Sequence, residues 1–110
     1  MAGVVHIPWY ATGFRGDKLA AAVSEISAAS IRYGATQYSV HRSREDKYKI
    51  LQMVWFEAKL DWERYWNGPE FLAFRAQTSG WWQVPILYAW NDEIAADVVS
   101  REPAAAPSVA

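Results

Sequence analysis

The chain has 110 residues, a length that fits one domain, and its 11 Lys and Arg against 12 Asp and Glu give a net charge of −1 at pH 7. No run of Lys or Arg forms the continuous basic face that phosphate backbones require, which argues against nucleic acid as a partner. The absence of cysteine excludes disulfides, thiolate catalysis and cysteine-based zinc sites.

The sequence also lacks targeting and membrane signals. The N-terminal residues MAGVVHIPWY do not have the basic start, long apolar core and small-residue cleavage pattern of a signal peptide. No apolar run approaches the roughly 20 residues that cross a bilayer. The sequence therefore predicts a cytoplasmic protein without a membrane partner.

The first two predicted elements are a strand and a helix. Val4 to Tyr10 is apolar and rich in β-forming residues, and Gly16 and Asp17 close the following loop with a helix cap. From Lys18 to Tyr33 apolar side chains recur at helical spacing, and Gly34 stands where a left-handed C-terminal cap belongs. The contact face of this helix is mostly alanine, so we expect it to lie on a flat surface.

Two extended runs joined by a polar turn predict a β-hairpin. Polar and apolar residues alternate from Thr36 to Arg42, and a second extended run follows from Tyr48 to Glu57 after the turn SRED. The hairpin supplies the second and third strands of a sheet.

A broken helix and a last strand complete the predicted elements. Asp61 is the expected cap of a helix that begins at Trp62, and the Asn-Gly pair at 67–68 interrupts this helix. Pro69 suits the first position of a new helical segment that runs to about residue 79. The last strand is predicted from Gln83 to Trp90, and its proline at position 85 favours a sheet edge.

The order strand, helix, strand, strand, helix, strand predicts a ferredoxin-like βαββαβ fold of the α+β class. Right-handed crossovers then give a four-stranded antiparallel sheet with both helices on one face. We expect this domain to span residues 1–95. Residues 96–110 are rich in Pro, Ala and Ser and are predicted to form a flexible tail.

The third predicted strand is apolar on both faces, which favours a homodimer. One face carries Ile50, Val54 and Phe56, and the other carries Leu51, Met53 and Trp55. Two helices cover only one face of a four-stranded sheet, so the other would expose several hundred square ångströms of apolar surface. Face-to-face packing of two such sheets about a two-fold axis would cover it and form a barrel-like core.

With these features the chain resembles the dimeric α+β barrel superfamily, and within it the antibiotic biosynthesis monooxygenase-like (ABM-like) group. The resemblance spans about Val4 to Trp90 in element order and spacing. Its sharpest part is QMVWFEAKLDWERYWNGPEF, which is similar to the third strand of that group followed by an aromatic helix with a small-residue break. Members of the group oxidise phenolic or quinol-like aromatics without a cofactor, because the substrate anion itself reduces oxygen.

The resemblance also implies a ligand cavity between the sheet and the helices of each protomer, with the broken helix as one wall. The implied catalytic residues are His6, Trp66 and Asn67. The implied substrate-binding residues are Tyr38, Trp62, Tyr65, Phe71, Phe74 and Arg75, with Gln52 also facing the wall. In the alternative interpretation Trp62, Trp66 and Phe71 are core residues, Arg75 is solvated, and Asn67 only makes the turn.

Neither a metal nor a cofactor is predicted. His6 and His41 are the only histidines, and neither has a further His or a Cys at metal-ligand spacing. His6 lies on a central strand and is the candidate general base. Haem-degrading relatives carry an Asn on the first strand and a haem-ligating His on the second helix, and this chain has neither.

Two classes of function follow from this interpretation. The first is a small cofactor-independent monooxygenase-like protein, or a related cyclase or isomerase, that acts on an aromatic or polyketide-like molecule. The alternative is a non-catalytic dimeric ligand-binding or assembly protein with a filled interior. An acylphosphatase-like or RNA-binding domain of the same topology is disfavoured, because the strands lack basic and aromatic surface motifs.

Overall fold

The computed structural model of the protein describes residues 1–99 and confirms the predicted α+β fold. The elements are β1 (Gly3–Tyr10), α1 (Gly16–Ala29), a 3-10 helix (Ser30–Tyr33), β2 (Ala35–Arg42), β3 (Lys49–Phe56), α2 (Lys59–Trp66), α3 (Pro69–Gln77) and β4 (Ala89–Asp92). The four strands form one antiparallel sheet in the order β2-β3-β1-β4. Most of the predicted tail, residues 100–110, lies outside the described part of the chain.

Alternation along β1 and β3 decides which side chains lie under the helices. Val5, Ile7 and Trp9 of β1 are buried, and so are Ile50 and Val54 of β3. The side chains between them point to the opposite face of the sheet, since successive residues of a strand alternate. The sheet therefore has an inner face, covered by the helices, and an outer face.

Both predicted N-terminal caps are wrong by a few residues. α1 begins at Gly16 and α2 at Lys59, and neither helix has a side-chain cap bond. Asp17 and Asp61 lie within the first turns instead, where a carboxylate is favoured by the positive end of the helix dipole. The predicted left-handed cap is confirmed, because Gly34 ends the 3-10 helix with φ of 93°.

The predicted break in the second helix is also confirmed. α2 ends at Trp66, and Pro69 opens α3 at a position where its missing N–H costs nothing. A Cβ atom at Gly68 would collide with the Tyr33 phenol, so this position requires glycine. The Tyr33 hydroxyl donates to the Glu70 carboxylate just beyond the break. This bond fixes the start of α3 against the end of the 3-10 helix.

The predicted last strand is wrong in most of its length. β4 covers only Ala89–Asp92, although an isolated bridge joins Ala11 to Trp82. From His6 to Ala11 β1 advances five residues, whereas the segment that pairs with it advances seven, from Trp82 to Ala89. The segment 83–88 therefore bulges out between the two pairings, and only its first residue still bonds to β1, through the Gln83 N–H and the Tyr10 carbonyl oxygen at 2.8 Å. Pro85 within this bulge has no N–H to donate to a strand.

A chain of buried hydrogen bonds crosses the core between the sheet and the helices. The Trp9 indole N–H donates to Gln52 Oε1 at 3.0 Å, and Gln52 Nε2 donates to the Tyr65 hydroxyl at 3.1 Å. The Tyr65 hydroxyl in turn donates to the carbonyl oxygen of Ile26 at 2.5 Å. Burial raises the pKa of the Tyr65 phenol well above its ordinary value, so the hydroxyl stays protonated and keeps this donor.

The outer face of the sheet carries half-buried apolar side chains. Val4, Leu51, Met53 and Trp55 lie there together with His6. No helix within residues 1–99 packs on this face, since the helices contribute to the core on the other side. The expected uncovered apolar surface is therefore present.

Replacing Tyr65 with Phe tests the buried hydrogen-bond chain. The Tyr65→Phe variant removes the hydroxyl that donates to Ile26 O and accepts from Gln52 Nε2, which should lower the free energy of unfolding by about 1–3 kcal/mol. Urea denaturation measures the change. The control is Tyr38→Phe, because the Tyr38 side chain is 38% exposed and should cost much less. Equal losses in the two variants would contradict a special role for the chain.

Asp46 gives the stability a predictable pH dependence. It accepts from the Tyr10 hydroxyl and the Tyr48 N–H, and the Tyr10 bond is the main reason that its pKa is lowered. A carboxyl group whose pKa is lowered by folding stabilises the protein at pH values above its pKa in the unfolded chain, about 4. This contribution is lost as the pH falls through the pKa of the folded protein.

Urea midpoints between pH 6 and pH 2.5 should therefore fall less steeply for Asp46→Asn than for the unmodified protein. The control is Glu45→Gln, which removes the neighbouring carboxyl of the same turn and should leave the pH profile almost unchanged. An Asp46→Asn profile parallel to that of the unmodified protein would show that this carboxyl has no role in acid unfolding.

Candidate functional site

The best candidate site is a group of side chains at the junction of α2, α3 and the bulged segment 83–88. We call it the aromatic–arginine cluster, and it consists of Trp62, Trp66, Phe71, Arg75 and Tyr88. Trp62 and Trp66 lie one turn apart on α2, and Phe71 and Arg75 lie one turn apart on α3. This spacing places each pair on one side of its helix. The break between the helices turns the two pairs toward each other.

The rings of the cluster are in direct contact. The ring centroid of Trp66 lies 4.8 Å from that of Phe71 and 4.8 Å from that of Tyr88. Trp62 contacts Tyr88 at 5.3 Å, with the rings close to perpendicular. Trp62 and Phe71 are buried, Trp66 is half-buried, and Tyr88 is 44% exposed. The cluster therefore runs from the core to the surface.

Arg75 is the charged member of the cluster. Its guanidinium carbon lies 4.0 Å from the centroid of Trp66 and 5.2 Å from that of Phe71, which is cation–π geometry. One of its N–H groups donates to the carbonyl oxygen of Trp66 at 2.9 Å. No carboxylate within residues 1–99 pairs with it.

Partial burial lowers the pKa of Arg75, and the nearby Tyr88 hydroxyl acts in the opposite direction. Arginine nevertheless stays charged at any ordinary pH. A guanidinium has five N–H donors, so most of those on Arg75 are free to meet an anion. The cluster thus places a cation beside the partly exposed rings of Trp66 and Tyr88.

The structure brings together four of the residues predicted for the site, which are Trp62, Trp66, Phe71 and Arg75. It places Tyr65 and Phe74 deeper. Tyr65 belongs to the buried hydrogen-bond chain, and Phe74 packs edge-on against Trp9 at 5.4 Å. Asn67 lies in the exposed turn and donates its amide to the carbonyl oxygen of Glu63. The turn-forming alternative for Asn67 therefore agrees with its contacts.

The expected position of His6 beside Trp66 is wrong. His6 pairs with Met53 and Ala89 and lies on the outer face, so the sheet itself separates it from the cluster. The apolar residues at 5, 7 and 9 already contained this information, because they bury the opposite face of β1. Tyr38 lies on the edge strand β2, opposite Val54, and is exposed. Neither residue contacts the cluster.

The space implied for a ligand between sheet and helices is filled by the protein itself. Trp9, Tyr65 and Phe71 are almost completely buried there, with Tyr65 and Phe71 in contact at 4.8 Å. Gln52, expected to face a ligand, instead bonds to Trp9 and Tyr65. Tyr88 was not predicted as a site residue, because in a regular strand from 83 to 90 it is one of several side chains that alternate between the two faces.

The described residues show neither a metal cluster nor a membrane span. Within residues 1–99, no group of three or more His, Asp or Glu side chains could hold a metal ion. None of the helices in that range is long and apolar enough to cross a membrane. The cytoplasmic location stays a prediction.

Comparison with known proteins identifies structural relatives only. No protein-family model matches the chain, and no curated protein matches it. A candidate antibiotic biosynthesis monooxygenase from Nitrosomonas europaea superimposes with a TM-score of 0.77 at 14% identity, covering 84% of this chain and 90% of that one. A second one, from Deinococcus radiodurans, gives 0.76 at 12% identity over 91% of this chain and 99% of that one.

A third structural relative is a mutant of SnoaB, a cofactor-independent oxygenase from Streptomyces nogalater. It gives a TM-score of 0.74 at 10% identity and covers 86% of this chain and 95% of that one. The chain has the ABM-like fold. At these identities the likeness concerns the path of the backbone, and a shared fold does not by itself imply a shared function.

Proposed function

We propose that this protein is a small cofactor-independent monooxygenase-like enzyme that binds an aromatic anion on the aromatic–arginine cluster. The observation that carries the proposal is the Arg75 guanidinium, which is held over the Trp66 ring and has no carboxylate partner within residues 1–99. Holding a cation among rings without neutralising it has a cost, and a bound anion would offset it. The ABM-like fold, shared with a cofactor-independent oxygenase, supports the reaction class.

In the proposed reaction the substrate is a phenol or quinol that binds as its anion. Arg75 donates hydrogen bonds to the oxyanion and so favours the electron-rich form that reduces oxygen. Trp66 and Tyr88 hold the ring of the substrate in position. Dioxygen is the oxidant: a ring C–H bond is replaced by a carbonyl C=O with one oxygen atom, and the other atom leaves as water with the hydrogens of that C–H and of the phenolic O–H. The phenol becomes a quinone and supplies all four electrons. Asn67, next to Trp66, contributes by fixing the end of α2.

The proposal includes a homodimer formed through the outer face of the sheet. The half-buried apolar residues there are Val4, Leu51, Met53 and Trp55. An isologous contact between two such faces removes them from water, and apolar burial is the main driving force of association. The cluster lies on the other side of the sheet, so each protomer would keep its own site.

The second candidate function is a non-catalytic dimeric binding or assembly protein. The filled space between sheet and helices favours it, because Trp9, Tyr65 and Phe71 leave no room for a substrate where the ABM-like group is expected to hold one. The two functions differ in one measurable property. Only the enzyme consumes oxygen.

Quenching of tryptophan fluorescence tests the proposed site. Titration with a panel of quinols and polycyclic phenols should give saturable quenching, because Trp62 and Trp66 lie in the cluster. Arg75→Gln should weaken binding of the responsive compound by tenfold or more, as expected for the loss of a charge-assisted hydrogen bond. Oxygen uptake in the presence of that compound, measured with an oxygen electrode, then distinguishes the enzyme from the binding protein.

The matched control for this experiment is Arg64→Gln. Arg64 lies on the same helix as Trp66, is mostly exposed and has only a long contact of 3.7 Å to Asp61. The Arg64→Gln variant should bind the responsive compound as tightly as the unmodified protein does. Equal weakening by both substitutions would indicate general electrostatic attraction, and no saturable binding by any phenol would remove the basis of the enzyme proposal.

A substitution on the outer face tests the dimer. Met53→Glu puts a charge at the centre of the proposed interface and should convert the dimer to a monomer in analytical ultracentrifugation. Leu72→Glu is the control, because Leu72 is an equally apolar residue on α3 and is 50% exposed. A monomeric unmodified protein, or a dimer that survives Met53→Glu, would contradict an interface on this face.

A further inference from the structure

A second concave surface lies on the outer face of the sheet, at the end nearest the β2–β3 hairpin. It encloses about 510 Å³ and is lined by Pro8, Trp9, Tyr10, His41, Arg42, Ser43, Lys49, Ile50 and Leu51. We call it the hairpin-end pocket. It shares no residue with the aromatic–arginine cluster. Its size lies in the range that holds small organic ligands.

The strand register gives the floor and the sides of this pocket. Pro8 pairs with Leu51, and both point to the outer face, where they form an apolar floor. In the next row Tyr10 pairs with Lys49, and on β2 His41 pairs with Leu51. One wall is therefore aromatic, and a cationic side chain and an imidazole flank the apolar floor.

The Lys49 ammonium is available to a ligand. No carboxylate within residues 1–99 lies within 4.0 Å of it. The Asp46 carboxylate of the same hairpin already accepts from the Tyr10 hydroxyl and the Tyr48 N–H. The Arg42 side chain is held by Asp17 and the Lys47 carbonyl oxygen, so it takes no part.

The hairpin determines which charges a molecule bound in the pocket would meet. Between positions 41 and 49 the chain carries four Lys and Arg residues and two acidic residues, in the sequence HRSREDKYK. Arg42 is paired with Asp17, and the charges of Arg44 and Lys47 are balanced by those of Glu45 and Asp46, so Lys49 is the cation that remains over the apolar floor. Such a site is complementary to a molecule with an apolar body and one negative head group, and it disfavours a cation of the same shape.

We propose that the hairpin-end pocket binds a small amphipathic carboxylate, with its apolar body on Pro8 and Leu51 and its carboxylate on Lys49. This site is separate from the oxygenase proposal, because the sheet lies between it and Arg75. Leu51 belongs both to this pocket and to the face proposed for the dimer, so a bound molecule would lie at one end of that interface and share Leu51 with it.

Isothermal titration calorimetry with decanoate tests the proposal on the full-length protein. We expect saturable binding of one decanoate per chain, and binding at least tenfold weaker for both decan-1-ol and decylammonium. Lys49→Gln should weaken decanoate binding by about tenfold or more, as expected when a charged partner is lost. Leu51→Gln should weaken it by removing the apolar floor.

Two control variants locate the binding. Lys47→Gln removes a charge from the same hairpin without touching the pocket, and Arg75→Gln removes the cation of the other site. Decanoate should bind to both variants with the affinity that it has for the unmodified protein. Failure of the oxygenase proposal would leave these results unchanged, since they involve neither oxygen nor a phenol.

Three results would overturn the proposal: no saturable decanoate binding, equal binding of decan-1-ol, or an unchanged affinity in Lys49→Gln. Sedimentation of the same samples adds a fourth. If decanoate converts a dimer to monomers, a second copy of the chain already fills the pocket, and the pocket is part of the interface instead of a ligand site.

Discussion

Gln52 is the residue on which the arrangement of the layers depends. Its amide accepts from Trp9 on β1 and donates to Tyr65 on α2, and Tyr65 continues the chain to the carbonyl oxygen of Ile26 in α1. A buried amide is costly unless its polar atoms are paired, and no buried side-chain polar atom within residues 1–99 lacks a partner. The helices occupy a position on the sheet that completes this chain, and shifting them would leave buried polar atoms unpaired.

The same chain determines where function can lie. Pairing Gln52 with Tyr65 draws α2 down onto the sheet, so that bulky rings fill the space between the layers. A ligand has no access to that space unless α2 moves away and breaks at least two buried hydrogen bonds. The rings that remain partly exposed are those at the edge of the layer, where Trp66 and Tyr88 meet Arg75. The candidate site is thus a product of close packing in the core.

The sequence predicted the fold well where one local rule determines the structure, and poorly where two segments compete. Gly34 and Pro69 mark the ends of helices because few residues suit a left-handed cap or a first helical position, and both predictions are confirmed. The segment 83–88 alternates like a strand, but whether it pairs depends on its partner. β1 already ends its ladder with β4 at His6, which alternation alone does not reveal.

The candidate site, like the fold, was predictable where local spacing determines it and not where the pairing of distant segments does. The i, i+4 pairs Trp62 with Trp66 and Phe71 with Arg75 were predictable from helical spacing alone. That His6 lies behind the sheet was also available from the alternation of β1, because the apolar residues at 5, 7 and 9 occupy the other face. Tyr88 joins the cluster only because the bulge releases it from the ladder.

The two faces of the sheet are covered differently, and for this reason a single short chain presents two distinct surfaces. The inner face is closed by covalently attached helices, so its contents are fixed by packing. The outer face has apolar residues at its centre and cations at its hairpin end, and nothing within residues 1–99 covers it. A wholly apolar partner that reached the hairpin end would have to take Lys49 out of water, and removing a charge from water without a counter-charge is costly. Whatever covers the whole face must bring an anion to its hairpin end or leave that end open to water.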